Sequence, residues 1–397
     1  MQMKKGTAIN SKRRKSNLVR LIVQFKSKKH YRNHRSLKKL IHPKYYARHA
    51  PLKMIRSIAV KVPRRSYRSI CRCTDVKRVF VDRKRRINLN VATPSVGASA
   101  AQRSGWTGRG VTIAVLDTGI YRHPDLTNPR NRIVAFKDFV NNRRRAYDDN
   151  GHGTHCAGDA AGNGFRSGGK YKGPAPEARL AGVKVLNRNG VGLDSTIIRG
   201  IEWCLNNRRR YGIRILSLSL GAKAVAPCSR DALCQAVNQA VRRGLVVVTS
   251  AGNGGPGIGT IDSPGTSPLA ITVGAANDHR TVRTSDDTIP DFSGRGPARG
   301  GVSKPDLVAP GVSIISLRAP VSTLDRRFRR SRVGRSYFTL TGTSMAAPIA
   351  AGVAAQLLQK FPGSSPGRVK RLLRRNAVAL RRSRNVQGSG LVNIRFL

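Results

Sequence analysis

The chain has 397 residues, 39% of them hydrophobic, enough for a sizeable buried core and long for a single one. Its 75 Lys and Arg against 19 Asp and Glu give a formal charge of +56, a field that attracts polyanions and acidic partners but specifies no fold. Only 5% of residues are aromatic and no nucleic-acid-reading motif accompanies the charge, which excludes a base-stacking platform.

The charge is densest at the start: residues 1–90 hold 29 of the 75 basic side chains. Residues 1–16 are polar and basic and read as a disordered tail. The next apolar run, Leu18–Phe25, is broken by Arg20, so it is not a secretory signal, and no segment reaches membrane-spanning length. A cytoplasmic location is therefore expected, with export by a non-standard route as the alternative. Leu18–Phe25 reads as a strand, His34–Ile41 as a helix, and Met54–Val62 and Val76–Asp82 as further strands, together a small α/β module over 17–87. The run Arg83-Lys84-Arg85-Arg86 and the polar residues after it read as a linker.

A second unit, 88–397, alternates strands and helices, the pattern of a mainly parallel sheet covered on both faces. Val111–Leu116, Ile213–Leu220, Leu245–Ser250 and Ala270–Val273 are continuous apolar runs, as doubly buried strands are. Ser195–Asn206 and Asp231–Arg243 carry helical spacing, and a long helix rich in Ala and Gly follows from Met345 to Gln359. The six cysteines lack zinc-site spacing. Cys228 and Cys234 could bridge in an oxidising compartment, but without an export signal free thiols are expected.

Three segments carry chemistry: Asp117-Thr-Gly-Ile, Gly151-His152-Gly-Thr-His and Gly342-Thr-Ser344-Met-Ala-Ala-Pro. An acid, a histidine and a serine in that order, 35 and 192 residues apart, follow one known chain order of a Ser–His–Asp triad. A serine hydroxyl needs a neighbouring base to attack. His152 suits that role, Asp117 suits holding the imidazole, and Ser344 opens a helix whose N-terminus favours negative charge.

These segments resemble the subtilisin-like serine peptidases, and the resemblance extends through His123-Pro-Asp125-Leu, Gly182–Leu186, Lys304-Pro-Asp306-Leu and Gly388–Asn393. It implies a three-layer α/β fold, a serine-type endopeptidase and, over residues 17–87, a ferredoxin-like inhibitory prosegment removed by cleavage around Arg86–Leu89. Ser250-Ala-Gly-Asn253 matches the turn whose Asn faces the tetrahedral oxyanion. Gly192, Ser219, Leu220 and Gly221 match the edges that pair an extended substrate, and Ala251, Gly252 and Asp262 match the specificity pocket. An Asp at 262 would favour Lys or Arg in the substrate by charge pairing, unless it turns away to cap its own turn. Cys156 matches the thiol of the proteinase K type beneath the histidine, and His155 reads as a packed structural residue.

The resemblance also places a calcium ligand at Asp125. The loop expected to complete that site, Asn163–Gly173, is rich in Gly and Lys rather than in oxygen ligands, so Asp125 is expected to cap or to pair with Arg122 or Arg130. No metal and no organic cofactor is expected to be required. The expected partners are protein or peptide substrates and the chain's own prosegment, with non-specific attraction to polyanions, in a monomer that meets no membrane. The alternatives are a catalytically silent scaffold of the same fold and a polyanion-binding protein tethered by its basic N-terminal region.

Overall fold

A computed structural model describes residues 18–46, 50–52, 57–81 and 89–397. The tail expected over 1–16, residues 54–56 of an expected strand and the Arg83–Arg86 linker lie outside the described residues. The chain divides into two compact units, 1–86 and 87–397.

In the first unit, β1 (Leu18–Phe25), β2 (Ala50–Leu52), β3 (Ser57–Pro63) and β4 (Val76–Val81) form an antiparallel sheet of order β2-β3-β1-β4. Helices α1 (Lys28–Asn33), α2 (Arg35–Leu40) and α3 (Pro43–Tyr46) join β1 to β2, and α4 (Ser66–Arg72) joins β3 to β4. This is the split βαβ arrangement of ferredoxin-like domains. Leu21, Val23 and Phe25 on β1 and Ile58, Val60 and Val62 on β3 alternate into one core, closed by Leu37 and Ile70 from the helices. Ile70 is the one buried residue of α4, too few to give that helix a readable period.

The second unit is built on seven strands: β5 (Thr112–Asp117), β6 (Ile133–Asp138), β7 (Arg179–Lys184), β8 (Ile213–Leu218), β10 (Val246–Ser250), β12 (Ile271–Ala276) and β13 (Leu307–Pro310). Two short strands, β9 (Ala222–Lys223) and β11 (Asp262–Ser263), pair separately as an antiparallel ribbon. The large sheet has the order β13-β12-β10-β8-β5-β7-β6 and every pairing in it is parallel.

Alternation along β5 splits the core in two. Ile113 and Val115 face one cluster and Ala114 and Leu116 the other, all essentially buried. On the first face pack α5 (His152–Ala161) and α8 (Thr343–Lys360); on the second pack α6 (Asp194–Asn206) and α7 (Ala232–Arg242). Helix α8 is buried nearly all round, which explains its run of Ala and Gly: small side chains let it run through the middle of a core. The first strand of the sheet is also a central one, with later strands added on either side, so β5 lies at the switch point where sheets of this kind place their ligands.

One expectation is corrected here. Cys228 and Cys234 are joined in a disulfide rather than free, because the turn leading into α7 brings their Cα atoms to 5.3 Å.

Candidate active site

Asp117 ends β5 and is wholly buried. Its Oδ1 accepts from the Thr118 amide at 2.7 Å and from His152 Nδ1 at 2.8 Å, with Oδ2 at 3.0 Å from the same nitrogen. His152 is the first residue of α5, and two glycines around it are structural requirements. Gly151 has φ +105°, in the left-handed region, and a Cβ on Gly153 would collide with the Gly119 carbonyl and reach 3.0 Å from Asp117 Cβ. Helix and strand can approach this closely only without that methyl group.

The start of α5 is held by Asp148, which the sequence analysis did not single out. One of its oxygens accepts from the amides of Asn150 and Gly151 and from Thr118 Oγ1, the other from the amide and hydroxyl of Thr154, at 2.6–3.1 Å. Thr118 Oγ1 in turn accepts from Gly153 N at 2.9 Å. The free amides of the helix N-terminus are thus tied to the turn after β5, which fixes His152 relative to Asp117. An acid just ahead of a helix start was the available signal.

Ser344 lies in the first turn of α8. Four residues on, Pro348 has no amide hydrogen to give back, so the Ser344 carbonyl is released from the helix ladder. It accepts instead from Ser219 Oγ at 2.8 Å and from Cys156 Sγ at 3.4 Å, which anchors the serine to β8's end and to α5. The Ser344 hydroxyl donates to the Ser219 carbonyl at 3.3 Å and makes no hydrogen bond to His152. Such contacts are commonly loose before substrate binds. Next to it, Asn253 Oδ1 accepts from the amide and the hydroxyl of Thr343 at 3.0 and 3.1 Å. With the oxygen spoken for, the Nδ2 donor is the end left for the cleft.

Burial disfavours a charged His152, but the charge and hydrogen bond of Asp117, together with Cys156 beneath the ring, raise the imidazole well above its ordinary value. Cys156 is fully buried with Sγ 3.8 Å from His152 Nδ1, and burial pushes its thiol up to about 11, so it stays protonated. His155 is buried with Nδ1 on Asp159 at 2.9 Å and Nε2 on the carbonyls of Ile314 and Phe338, a packed structural residue.

His152, Ser344, Asn253, Gly192, Ser219, Leu220, Gly221, Gly252 and Asp262 all line one cleft of 680 Å³. Ala251 does not. It is wholly buried against Ile261 and Ala298, with its amide on Val273 and its carbonyl on the Asp262 amide, so it backs the pocket rather than forming its wall.

Asp125 pairs with neither Arg122 nor Arg130. Its Oδ1 accepts from the Arg166 amide at 2.9 Å and its Oδ2 from Tyr337 Oη at 2.8 Å. The buried guanidinium of Arg132 takes the Asp125 carbonyl, with those of Ala161 and Ala178. Donors and a fixed cation already occupy the oxygens, so these residues do not fit calcium, which needs six to eight free oxygen ligands.

A parallel α/β sheet with an acid–histidine pair at the end of its central strand and a serine opening its buried helix defines a serine-type endopeptidase of the subtilisin kind. Residues 108–390 match the family model described as the Subtilase family, peptidase S8. The chain belongs to that family. It is 48% identical over 329 residues to serine protease AprX of Bacillus subtilis (strain 168), covering 81% of this chain and 74% of that one. It is 40% identical over 298 residues to subtilisin Savinase of Lederbergia lenta, covering 75% and 94%. Among solved structures, Sphericase aligns with a TM-score of 0.60 at 30% identity, covering 72% of this chain and 92% of that one. The S41 psychrophilic protease aligns at 0.61 with the same identity and coverage.

Proposed function

We propose that Ser344, His152 and Asp117 are the nucleophile, general base and orienting acid of this peptidase, and that Asn253 is its oxyanion donor. The observation that carries the reading is the Asp117–His152 hydrogen bond opening onto the cleft that Ser344 and Asn253 also line. The Ser344 hydroxyl swings from the Ser219 carbonyl to His152 Nε2 and gives up its proton as Oγ bonds the substrate carbonyl carbon. Asn253 Nδ2 and the Ser344 amide receive the developing oxyanion. His152 returns the proton to the leaving amine, the C–N bond breaks, and an acyl-enzyme remains. A water molecule, deprotonated by the same imidazole, then releases the acid and restores Ser344. The substrate lies extended between the Gly190–Leu193 and Ser219–Gly221 edges.

We further propose that residues 17–87 are an inhibitory prosegment and that the peptidase cuts it from itself around Arg86–Leu89. The ferredoxin-like topology of the first unit and the division of the chain at Arg86 support this. Intact masses of wild type and Ser344→Ala, with fluorophosphonate labelling of each, test both statements. The wild type is expected to lose its first 83–90 or so residues and to take the label on Ser344, and the variant to do neither. Labelling of the variant, or equal processing of both chains, removes the assignment.

A further inference from the structure

Asp262 lacks hydrogen-bond donors, as the buried Asp287 does away from the cleft, whereas several other acids of the domain are well supplied with them. Asp117, Asp148, Asp306 and Asp325 each accept several hydrogen bonds. The Asp262 side chain accepts none and forms no ion pair among the described residues, although it is partly buried and lines the cleft with Ser344 and Asn253. It does not cap its own turn.

Its position is fixed by the backbone. The Asp262 amide donates to the Ala251 carbonyl at 2.9 Å, and β11 pairs with β9 so that Asp262 stands opposite Lys223. The two side chains do not come within ion-pair distance. The carboxylate lies directly against Gly252, where φ is +96° and a Cβ would collide with Asp262 Oδ2. Gly252 adjoins Asn253, so the free carboxylate sits one residue from the oxyanion donor. Desolvation is the one cause acting on its proton affinity, which it raises. An ionised carboxylate short of both water and donors gains most from a cation that brings its own hydrogens. A guanidinium or an ammonium does this.

We propose that Asp262 makes the cleft select arginine or lysine immediately before the scissile bond, and that the Arg83-Lys84-Arg85-Arg86 run is its first substrate. The inference rests on the peptidase reading above and names its substrate class. The run supports it independently: it ends the first compact unit, so cleavage after Arg86 separates residues 1–86 from a product beginning at Ile87. The formal charge of +56 poses no contradiction. Cleavage requires a basic residue in a segment free to lie extended in the cleft, and helices and paired strands do not offer one.

Two measurements decide it. The first uses the full chain carrying Ser344→Ala and benzamidine as a probe of the cationic side chain, followed by calorimetry. Binding is expected, and adding Asp262→Asn is expected to weaken it by about 30-fold or more, as for loss of one partner of a desolvated charge pair. The second compares peptide anilides that differ only in Arg or Leu before the scissile bond. The wild type is expected to favour Arg by at least the same factor. Asp262→Asn and Asp262→Ser are expected to lose that preference, the rate on the Arg substrate falling by far more than the rate on the Leu substrate, and near-UV circular dichroism and a Tm like those of wild type show that they fold. The processed wild type is expected to begin at Ile87, and Arg86→Leu to slow its release. A wild type that prefers Leu, or an Asp262→Asn enzyme that keeps the Arg preference, overturns the proposal. If Ser344 takes no fluorophosphonate and no anilide is cleaved, the peptidase reading fails. The benzamidine measurement on the Ser344→Ala chain still decides Asp262 in that case, and equal affinity with and without Asp262→Asn overturns it.

Discussion

Removing the hydroxyl of Thr343 tests whether Asn253 is held for catalysis or merely packed. That hydroxyl donates to Asn253 Oδ1 at 3.1 Å and accepts from Gly252 N at 3.2 Å, while the Thr343 amide gives Oδ1 its second bond at 3.0 Å. Thr343→Val keeps the shape and deletes both hydroxyl bonds. A net hydrogen bond is worth about 1 kcal/mol, so the Asn253 amide loses roughly half its restraint and kcat is expected to fall about fivefold with KM little changed. The buried Gly252 amide loses its acceptor, which costs about 1–3 kcal/mol of stability, visible as a lower Tm. Asn253→Ala removes the donor altogether and is expected to cost about 10²–10³ in kcat, a magnitude taken over from subtilisin. The deciding assay is the double variant. If Thr343 acts only through Asn253, adding Thr343→Val to Asn253→Ala changes kcat by less than about twofold. Thr343→Ser, which restores the hydroxyl, is expected to regain most of the activity. A fivefold loss in both backgrounds refutes the positioning argument and leaves Thr343 a packing residue.

Because Asp117 holds His152 above its ordinary value of 6.5, the ascending limb of kcat/KM against pH is expected above 6.5, where the imidazole loses its proton and becomes a base. A limb centred at or below that value contradicts the geometry. Cys156 should make the enzyme slowly sensitive to mercurials, since a buried protonated thiol must first be reached and deprotonated, and Cys156→Ala should remove the inhibition. A variant equally sensitive shows that mercury acts elsewhere. Asp287 is buried with both oxygens unpartnered, and desolvation together with Asp278 and Asp286 pushes it up to about 7. The folded chain therefore keeps a proton that the unfolded chain has lost between about pH 4 and 7. Stability contributed by this group falls as pH rises through that window. Asp287→Asn should raise Tm by a few degrees at pH 8 and leave it unchanged at pH 4, and an equal Tm at pH 8 removes the argument.

Strands β5, β8, β10 and β12 and helices α6, α7 and α8 are readable because their apolar runs are long, whereas β6, β7 and β13 are not read as strands. Val111–Leu116 reads as a strand one residue early at both bounds of β5, and the Ala-rich helix Met345–Gln359 reads as α8 shortened by two residues at its N-terminus and one at its C-terminus. Asp117, His152 and Ser344 come forward through their motifs in triad order, and Asn253 through the resemblance of its turn, not through the apolar runs. Ala251 was misplaced because a three-residue turn gives no sign of which side chain faces inward, and here the methyl group is the inward one. The Cys228–Cys234 bond is not legible from the cell compartment, because the turn before α7 sets the Cα separation whatever the compartment.

What lay beyond the sequence is of one kind: polar bonds between segments far apart in the chain. Nothing in the residues near Pro348 says that the carbonyl it frees, that of Ser344, is taken up by Ser219, 125 residues earlier, and by Cys156, 188 residues earlier. Nor does Asp148 declare that it gathers Thr118, Asn150, Gly151 and Thr154 into one knot behind the histidine. Yet both arrangements depend on features the sequence does display: a proline where it interrupts a helix ladder, and glycines where a methyl group cannot fit. A departure from ideal helix chemistry within four residues of Ser344 releases a carbonyl, and a carbonyl released inside a core must find other donors. The donors it finds tie the serine to the segments that carry the histidine and the substrate edge. The same proline that weakens α8 as a helix is thus what couples the serine to the rest of the site.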